Sequence, residues 1–298
     1  IFENLVKTGE IGFSHEVSTV LKQKLNSKVE VNSAQISLSG RLIKKKISGK
    51  RLTKKELNII ISDVVHNNLT EAEIAYFVAA EKLKGMSQKE IIFLTEAMIK
   101  NGNKLEFKEK IVSDKHCIGG IAGNRTTPLV VAICAAAGLI LPKTSSRAIT
   151  SASGTADVIE TISKVEFSPS QMKKIIKQTN ACLVWGGSLG LAPSDDKIIQ
   201  VERLLNLDVE SQLLASIMSK KIAAGSNRIL IDIPYGKSAK VESKKQAKEL
   251  ASHFKQLSKD FNVELDVVLT DGKQPIGNGA GPNLEMLDII SILKQKPN

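Results

Sequence analysis

Aromatic side chains are scarce in this chain, at 4% of 298 residues, with a single tryptophan. No basic stretch is interleaved with aromatics, so a stacking platform for single-stranded nucleic acid is not expected. Cysteine is also rare: Cys117, Cys134 and Cys182 form no C-x-x-C pair and are odd in number. That argues against a disulfide framework and a zinc site, and for a reducing cytoplasm. His15, His66 and His253 lack clustered partners, so no metal centre is expected. No apolar run is long enough to cross a bilayer, and no signal peptide is visible. The chain opens on Ile1 rather than Met, so residues are expected to be missing at one or both ends. Acidic residues are outnumbered by basic ones, giving a formal net charge of +11. Much of that lysine reads as solvated surface; the remainder suggests a partner rich in phosphate.

What the chain does have is a 42% apolar share, enough for a large core and two domains. Residues 1–48 are hard to read; Val29–Val31 and Ile36–Leu38 alternate weakly as short strands do, and Lys44–Lys46 suggest an exposed loop. Residues 49–108 carry three successive capping boxes, Thr53/Glu56, Thr70/Glu73 and Ser87/Glu90, each followed by apolar residues at helical spacing. From about residue 109, strand-like segments at Ile111–Val112, Leu139–Leu141, Ala181–Trp185, Arg228–Ile233 and Val263–Leu269 alternate with helical patterns. A second helical block over 194–224 interrupts them. The expected architecture is a small all-helical lobe, 49–108 plus 194–224, and a larger α/β lobe with a mixed sheet, 109–193 plus 225–298. A cleft lies between them and 1–48 is left as a poorly defined N-terminal stretch.

Two segments could carry chemistry. Asp114-Lys115-His116-Cys117-Ile118-Gly119-Gly120, continuing to Arg125-Thr126-Thr127, follows the strand-like triplet Lys110-Ile111-Val112 and reads as a glycine-rich turn leading to a helix start. Glycines allow close backbone approach, and uncapped N–H groups at a helix start attract anions. Lys143-Thr144-Ser145-Ser146-Arg147-Ala148-Ile149-Thr150-Ser151, continuing to Gly154-Thr155-Ala156-Asp157, leaves a second strand with many hydroxyls and one arginine. Arginine adds a fork that grips two oxygens together. The plainer alternative is a polar loop ahead of an N-cap.

With Leu183-Val184-Trp185-Gly186-Gly187, Ile231-Asp232-Ile233-Pro234-Tyr235-Gly236 and Leu269-Thr270-Asp271-Gly272, these segments resemble the nucleoside phosphorylase family that includes thymidine phosphorylase. The similarity spans about residues 49–285 and leans towards the archaeal AMP phosphorylase branch. That family closes a helical lobe and an α/β lobe on its substrates and cleaves N-glycosidic bonds with inorganic phosphate. The resemblance implies that Lys115, Gly119, Thr127 and Ser145 surround phosphate. It implies nucleotide contacts at Gly120, Ser146, Arg147, Ala148, Ile149, Thr150, Ser151, Thr155, Ser216 and Lys240, and a base contact at Lys220. It makes Asp208 the proton donor, a residue that alone reads as a surface carboxylate paired with lysine. Ser151 stands where the pyrimidine branch has histidine, which points to nucleotides.

The expected reaction is phosphorolysis of AMP, CMP or UMP to free base and ribose 1,5-bisphosphate. Phosphate is cosubstrate, with no metal or organic cofactor, in a homodimer that contacts neither membrane nor nucleic acid. Between Leu207 and Val209, an apolar setting is expected to keep Asp208 protonated. Asp195 and Asp196 are fallback acids that otherwise read as first-turn helix charges. His116 reads as a hydrogen-bonding member of the turn, and Trp185 as core rather than a base-stacking ring. Rival readings are a pyrimidine nucleoside phosphorylase, a phosphoribosyltransferase that requires Mg²⁺, and a non-catalytic basic nucleotide- or RNA-binding module.

Overall fold

A computed structural model describes residues 6–32, 37–119, 121, 126–148, 153–237 and 239–296. The chain divides into two units, Ile1–Ser37 and Leu38–Asn298. The first holds one short helix, α1 (His15–Leu21), capped by Ser14 and without a buried residue. Val29–Val31 form no strand.

Within Leu38–Asn298, helices α2 (Leu38–Ile47), α3 (Lys54–Val65), α4 (Glu71–Lys84) and α5 (Gln88–Lys100) form a bundle. All three capping boxes close, with hydroxyl and carboxylate each taking a backbone N–H at the starts of α3, α4 and α5. Lys44–Lys46 belong to α2 and are not a loop. Lys46 is buried and its Nζ reaches Glu90 Oε1 at 2.7 Å. Glu90 also accepts from the Leu52 N–H at 2.9 Å. A residue in a capping box thus also neutralises the buried lysine. Leu57, Ile60, Phe77, Leu94 and Met98 fill the core with Ile198. Ile198 lies on α9 (Pro193–Leu205), which packs on α3 and α4, while α10 (Glu210–Ala223) packs along α5.

The α/β lobe holds β1 (Ser113–Cys117), α6 (Thr126–Ala136), β2 (Leu141–Ser145), α7 (Thr155–Glu160), α8 (Pro169–Thr179) and β3 (Ala181–Trp185). After the α9–α10 excursion come β4 (Arg228–Tyr235), α11 (Lys244–Asp260), β5 (Glu264–Asp271) and α12 (Pro282–Leu293). One sheet runs β1-β4-β5 and another β2-β3, with a parallel bridge between Val112 and Ile140 beside them. Every pairing among the described residues is parallel, which corrects the expected mixed sheet. Helices separate each strand from the next, and such crossovers return the chain in the same direction.

Strands β1 and β2 begin later than their apolar flanks suggest and run into the polar motifs. Ser113-Asp114-Lys115-His116-Cys117 is a strand with Asp114 and Lys115 buried. Both glycine- and hydroxyl-rich segments therefore leave the carboxyl ends of neighbouring parallel strands, where α/β sheets bind ligands.

Candidate active site

A cavity of about 470 Å³ opens where the strand ends face α9 and α10. The α/β lobe lines it with Gly119 and Thr127 from the first segment, and with Ser145, Ser146, Arg147 and Thr155 from the second. The helical lobe adds Asp208, Ser216 and Lys220, and Lys240 closes the rim. Ten residues chosen from sequence therefore share one wall. Gly120, Ile149, Thr150 and Ser151 lie outside the described residues. Lys115 and Ala148 are not among the lining side chains.

Cations crowd beneath this wall. Lys115 Nζ lies 2.9 Å from Asp232 Oδ2 and donates to Thr127 Oγ1 at 3.5 Å. Thr270 holds Asp232 from the other side, its hydroxyl donating at 2.7 Å. Asp114 sits between Lys221 at 2.9 Å and Lys143 at 3.4 Å, all three buried. Neither Asp114 oxygen has an aligned hydrogen bond, so the attraction there is Coulombic. Burial pushes Lys143 below the usual lysine range despite Asp114. Burial, then Lys221 and Lys143, holds His116 well below its ordinary value, so its imidazole is neutral at pH 7 and can bond but not supply a charge.

The first loop is shaped by Gly119, an expected site residue, and the second by Asp157 and Gly154, which were not expected there. Gly119 has φ +86°, a left-handed conformation that favours glycine. In the second loop, Asp157 accepts from the Ala148 N–H at 2.7 Å and the Gly154 N–H at 2.8 Å. That makes Ala148 a loop-closing residue whose amide is already engaged. A Cβ on Gly154 would lie 2.5 Å from Ser146 O, so only glycine lets the strands of this loop meet. Arg147, expected to grip phosphate, instead reaches Asp157, Glu160 and Glu166 and stacks 5.0 Å above the Trp185 ring. Trp185 is thus neither base platform nor fully buried core, but the rest for a guanidinium.

Asp208 departs from expectation most. Its side chain is 54% exposed, and Lys240 Nζ lies 3.0 Å from its Oδ1. Val209 is buried, but Asp208 faces an ammonium group, not an apolar setting. The neighbouring cavity residue Glu202 does meet the expected condition. Burial, then Asp195 and Asp208, push its pKa up to about 7. In sequence Glu202-Arg203 reads as a solvated helix face, and no signal marks it. Asp195 is buried in the first turn of α9 and takes Lys220 Nζ at 2.6 Å. Burial acts to lower Lys220, but Asp195 and Asp196 prevail and raise it. Burial raises Asp196 in the same turn.

Residues 41–102 match the helical bundle domain of the glycosyl transferase family, and residues 109–289 match its a/b domain. The chain belongs to the glycosyl transferase family. The AMP phosphorylase of Pyrococcus furiosus is 47% identical over 290 residues, 97% of this chain and 58% of that protein. The protein named "Putative thymidine phosphorylase" in Legionella pneumophila (strain Corby) is 42% identical over 298 residues, 100% of this chain and 58% of that one. The glycosyltransferase chain thus spans about three-fifths of the length of the curated relatives it matches. Anthranilate phosphoribosyltransferase (TrpD) from Thermus thermophilus shares the fold, with TM-score 0.69 at 17% identity over 86% of this chain and 83% of that one. No helix among the described residues is long and apolar enough to cross a membrane.

Proposed function

We propose that this cavity binds a nucleoside 5′-monophosphate beside inorganic phosphate and phosphorolyses the N-glycosidic bond. The observation that carries the reading is the joint wall: two anion-shaped loops and Lys220 and Lys240 face one cavity over buried lysines. Substrate and cosubstrate bring two phosphate groups, and two loops are there to receive them. A phosphate oxygen attacks C1′ as the C1′–N bond breaks. The bond's electron pair passes to the base nitrogen, which takes a proton, giving free base and ribose 1,5-bisphosphate. The loops and lysines hold the attacking dianion in place and neutralise it. Glu202, whose carboxyl is pushed up to about 7 by burial, is the proposed donor, next to Asp208 in its ion pair with Lys240. Closure of the lobes keeps water from replacing phosphate.

The proposal involves no metal or organic cofactor, and a cytoplasmic setting for the three free thiols. It includes a homodimer through the helical lobe, where Tyr76 and Leu83 on α4 and Leu204 on the adjoining α9 are exposed. The test is release of base from AMP, CMP and UMP with and without phosphate, alongside thymidine and uridine. Faster reaction of monophosphates supports the reading. Much faster reaction of thymidine or uridine replaces it with a nucleoside phosphorylase. A Mg²⁺ requirement with pyrophosphate points to a phosphoribosyltransferase, and salt-sensitive binding without turnover to a binding module.

A further inference from the structure

Four of the cations that line the cavity hold a carboxylate: Lys143 with Asp114, Arg147 with Glu160, Lys220 with Asp195 and Lys240 with Asp208. An anion that engages one of them competes with that partner. Lys143 is buried and offers a ligand little surface. Asp195 is buried too, so taking Lys220 would strand its carboxylate away from water. Arg147 is held by three carboxylates at once. The Lys240–Asp208 pair is the one that parts at low cost, because water can hydrate the released Asp208, whose side chain is half exposed.

That pair also joins the two lobes. Lys240 follows β4 in a turn held by the Tyr235–Val241 bridge and by the Gly236 N–H, which donates to the Val241 carbonyl at 2.9 Å. Asp208 lies between α9 and α10, and its own carbonyl accepts from Lys82 Nζ of α4 at 2.8 Å. Both backbones are therefore anchored, and only the two side chains need move. Glu202 lines the same cavity. Asp195 on its own helix, Asp208 beyond the helix end and Lys240 from the α/β lobe all act on it, with the Val209 N–H beside it and Glu81 of α4 near by. Asp195 and Asp208 favour its acid form, and Lys240 opposes it. A phosphate dianion on Lys240 cancels the opposing cation and leaves Asp208 unpaired, and both changes act on Glu202 in the same direction.

Building on the phosphorolysis reading, we infer that the 5′-phosphate of the nucleotide takes Lys240 from Asp208, and that the carboxylate so released keeps Glu202 in its acid form for the leaving base. A nucleoside lacks that phosphate, so Lys240 stays on Asp208 and Glu202 gives up its proton near neutral pH. Selection for nucleotides is then written into turnover as well as into binding. Lys240 is the specificity-determining contact and Asp208 the positioning residue that acts through Glu202.

The rate at saturation reports the bound complex, so kcat for AMP and for adenosine is compared from pH 6 to 9 at saturating inorganic phosphate. The alkaline fall is expected about one pH unit higher with AMP than with adenosine. Lys240→Met removes the opposing cation outright and is expected to move the adenosine fall up to meet that of AMP. A lysine that only grips phosphate would leave the adenosine curve where it was. Coincident curves for the wild-type protein overturn the inference, as does an unmoved adenosine curve in Lys240→Met. Calorimetric titration at pH 8, without inorganic phosphate and in buffers of different ionisation enthalpy, needs no turnover. The wild-type protein is expected to take up protons on binding AMP and none on binding adenosine, and Glu202→Gln none with either. AMP binding without uptake, or uptake that survives in Glu202→Gln, overturns the inference. Uptake at Glu202 without phosphate-dependent base release sinks the phosphorolysis proposal and leaves the exchange of partners standing. Base release from AMP without uptake does the reverse.

Discussion

The helical lobe and the strand ends both bury lysine, but they treat it differently. In the bundle, Lys46 meets Glu90, and the same carboxylate closes a capping box and takes the Leu52 N–H. Each group there is answered from within the lobe. At the strand ends Lys115, Lys143 and Lys221 are buried against Asp114 and Asp232, three lysines to two carboxylates, and burial lowers the pKa of Lys143. They lie beside the cavity that Lys143 lines, where the second flanking loop is itself closed by Asp157, which takes two of its backbone N–H groups and pairs with Arg147. The contrast separates a lysine paired one to one within the bundle from buried lysines that share fewer carboxylates at a candidate site.

The largest expected effect tests that contrast directly. Asp114→Ala leaves two buried lysines without their anion and should cost about 3–5 kcal/mol in urea unfolding, as should Glu90→Ala. The two differ in the phosphate response: added phosphate should recover part of the stability of Asp114→Ala and none of that of Glu90→Ala. Equal recovery in both would break the comparison.

Glu81 gives a pH-dependent version. Burial raises its carboxyl to about 8 against the hydrogen bonds from Ser211 and Gln212, with Glu202 adding to the rise. A pKa raised on folding means that the native state binds the proton more tightly. The resulting stability is full below the unfolded value of about 4.5 and is lost as pH rises through about 8. Between pH 6 and 9 the wild type should lose on the order of a few kcal/mol relative to Glu81→Gln, read by thermal unfolding. Parallel pH curves would show that Glu81 is ionised in the fold.

Gly154→Ala sharpens the loop side of the comparison. The added methyl collides with Ser146 O and displaces the loop, and turnover should fall about 100-fold with the unfolding midpoint little changed. Full activity would detach this loop from the chemistry. The smallest effect belongs to the bundle: Thr70→Ala removes the α4 cap and should cost about 1 kcal/mol, with substrate affinities unaltered.

The capping boxes were readable because their physics is local. Thr70 and Glu73 are three residues apart and bond each other's backbone in any context that lets a helix start. Ala181–Trp185 was readable for a similar reason, an apolar run between turns. β1 was not, because it is a polar strand: its buried Asp114 and Lys115 are tolerated only because Lys143, Lys221 and Asp232 arrive from other elements. Within the site, the glycine and hydroxyl motifs announced themselves by composition. Glu202 did not, since it is an ordinary helix residue until the fold turns it towards the cavity.

The sequence by itself determined where α3, α4 and α5 begin, where the glycine- and hydroxyl-rich segments lie, and the excess of positive charge. Those properties follow from neighbours along the chain. The fold alone decided that Asp208 meets Lys240, that Arg147 rests on Trp185 among carboxylates, and that Glu202 is pushed towards neutrality. Desolvation and charge pairing depend on what packs across space, and residues far apart in sequence supply it.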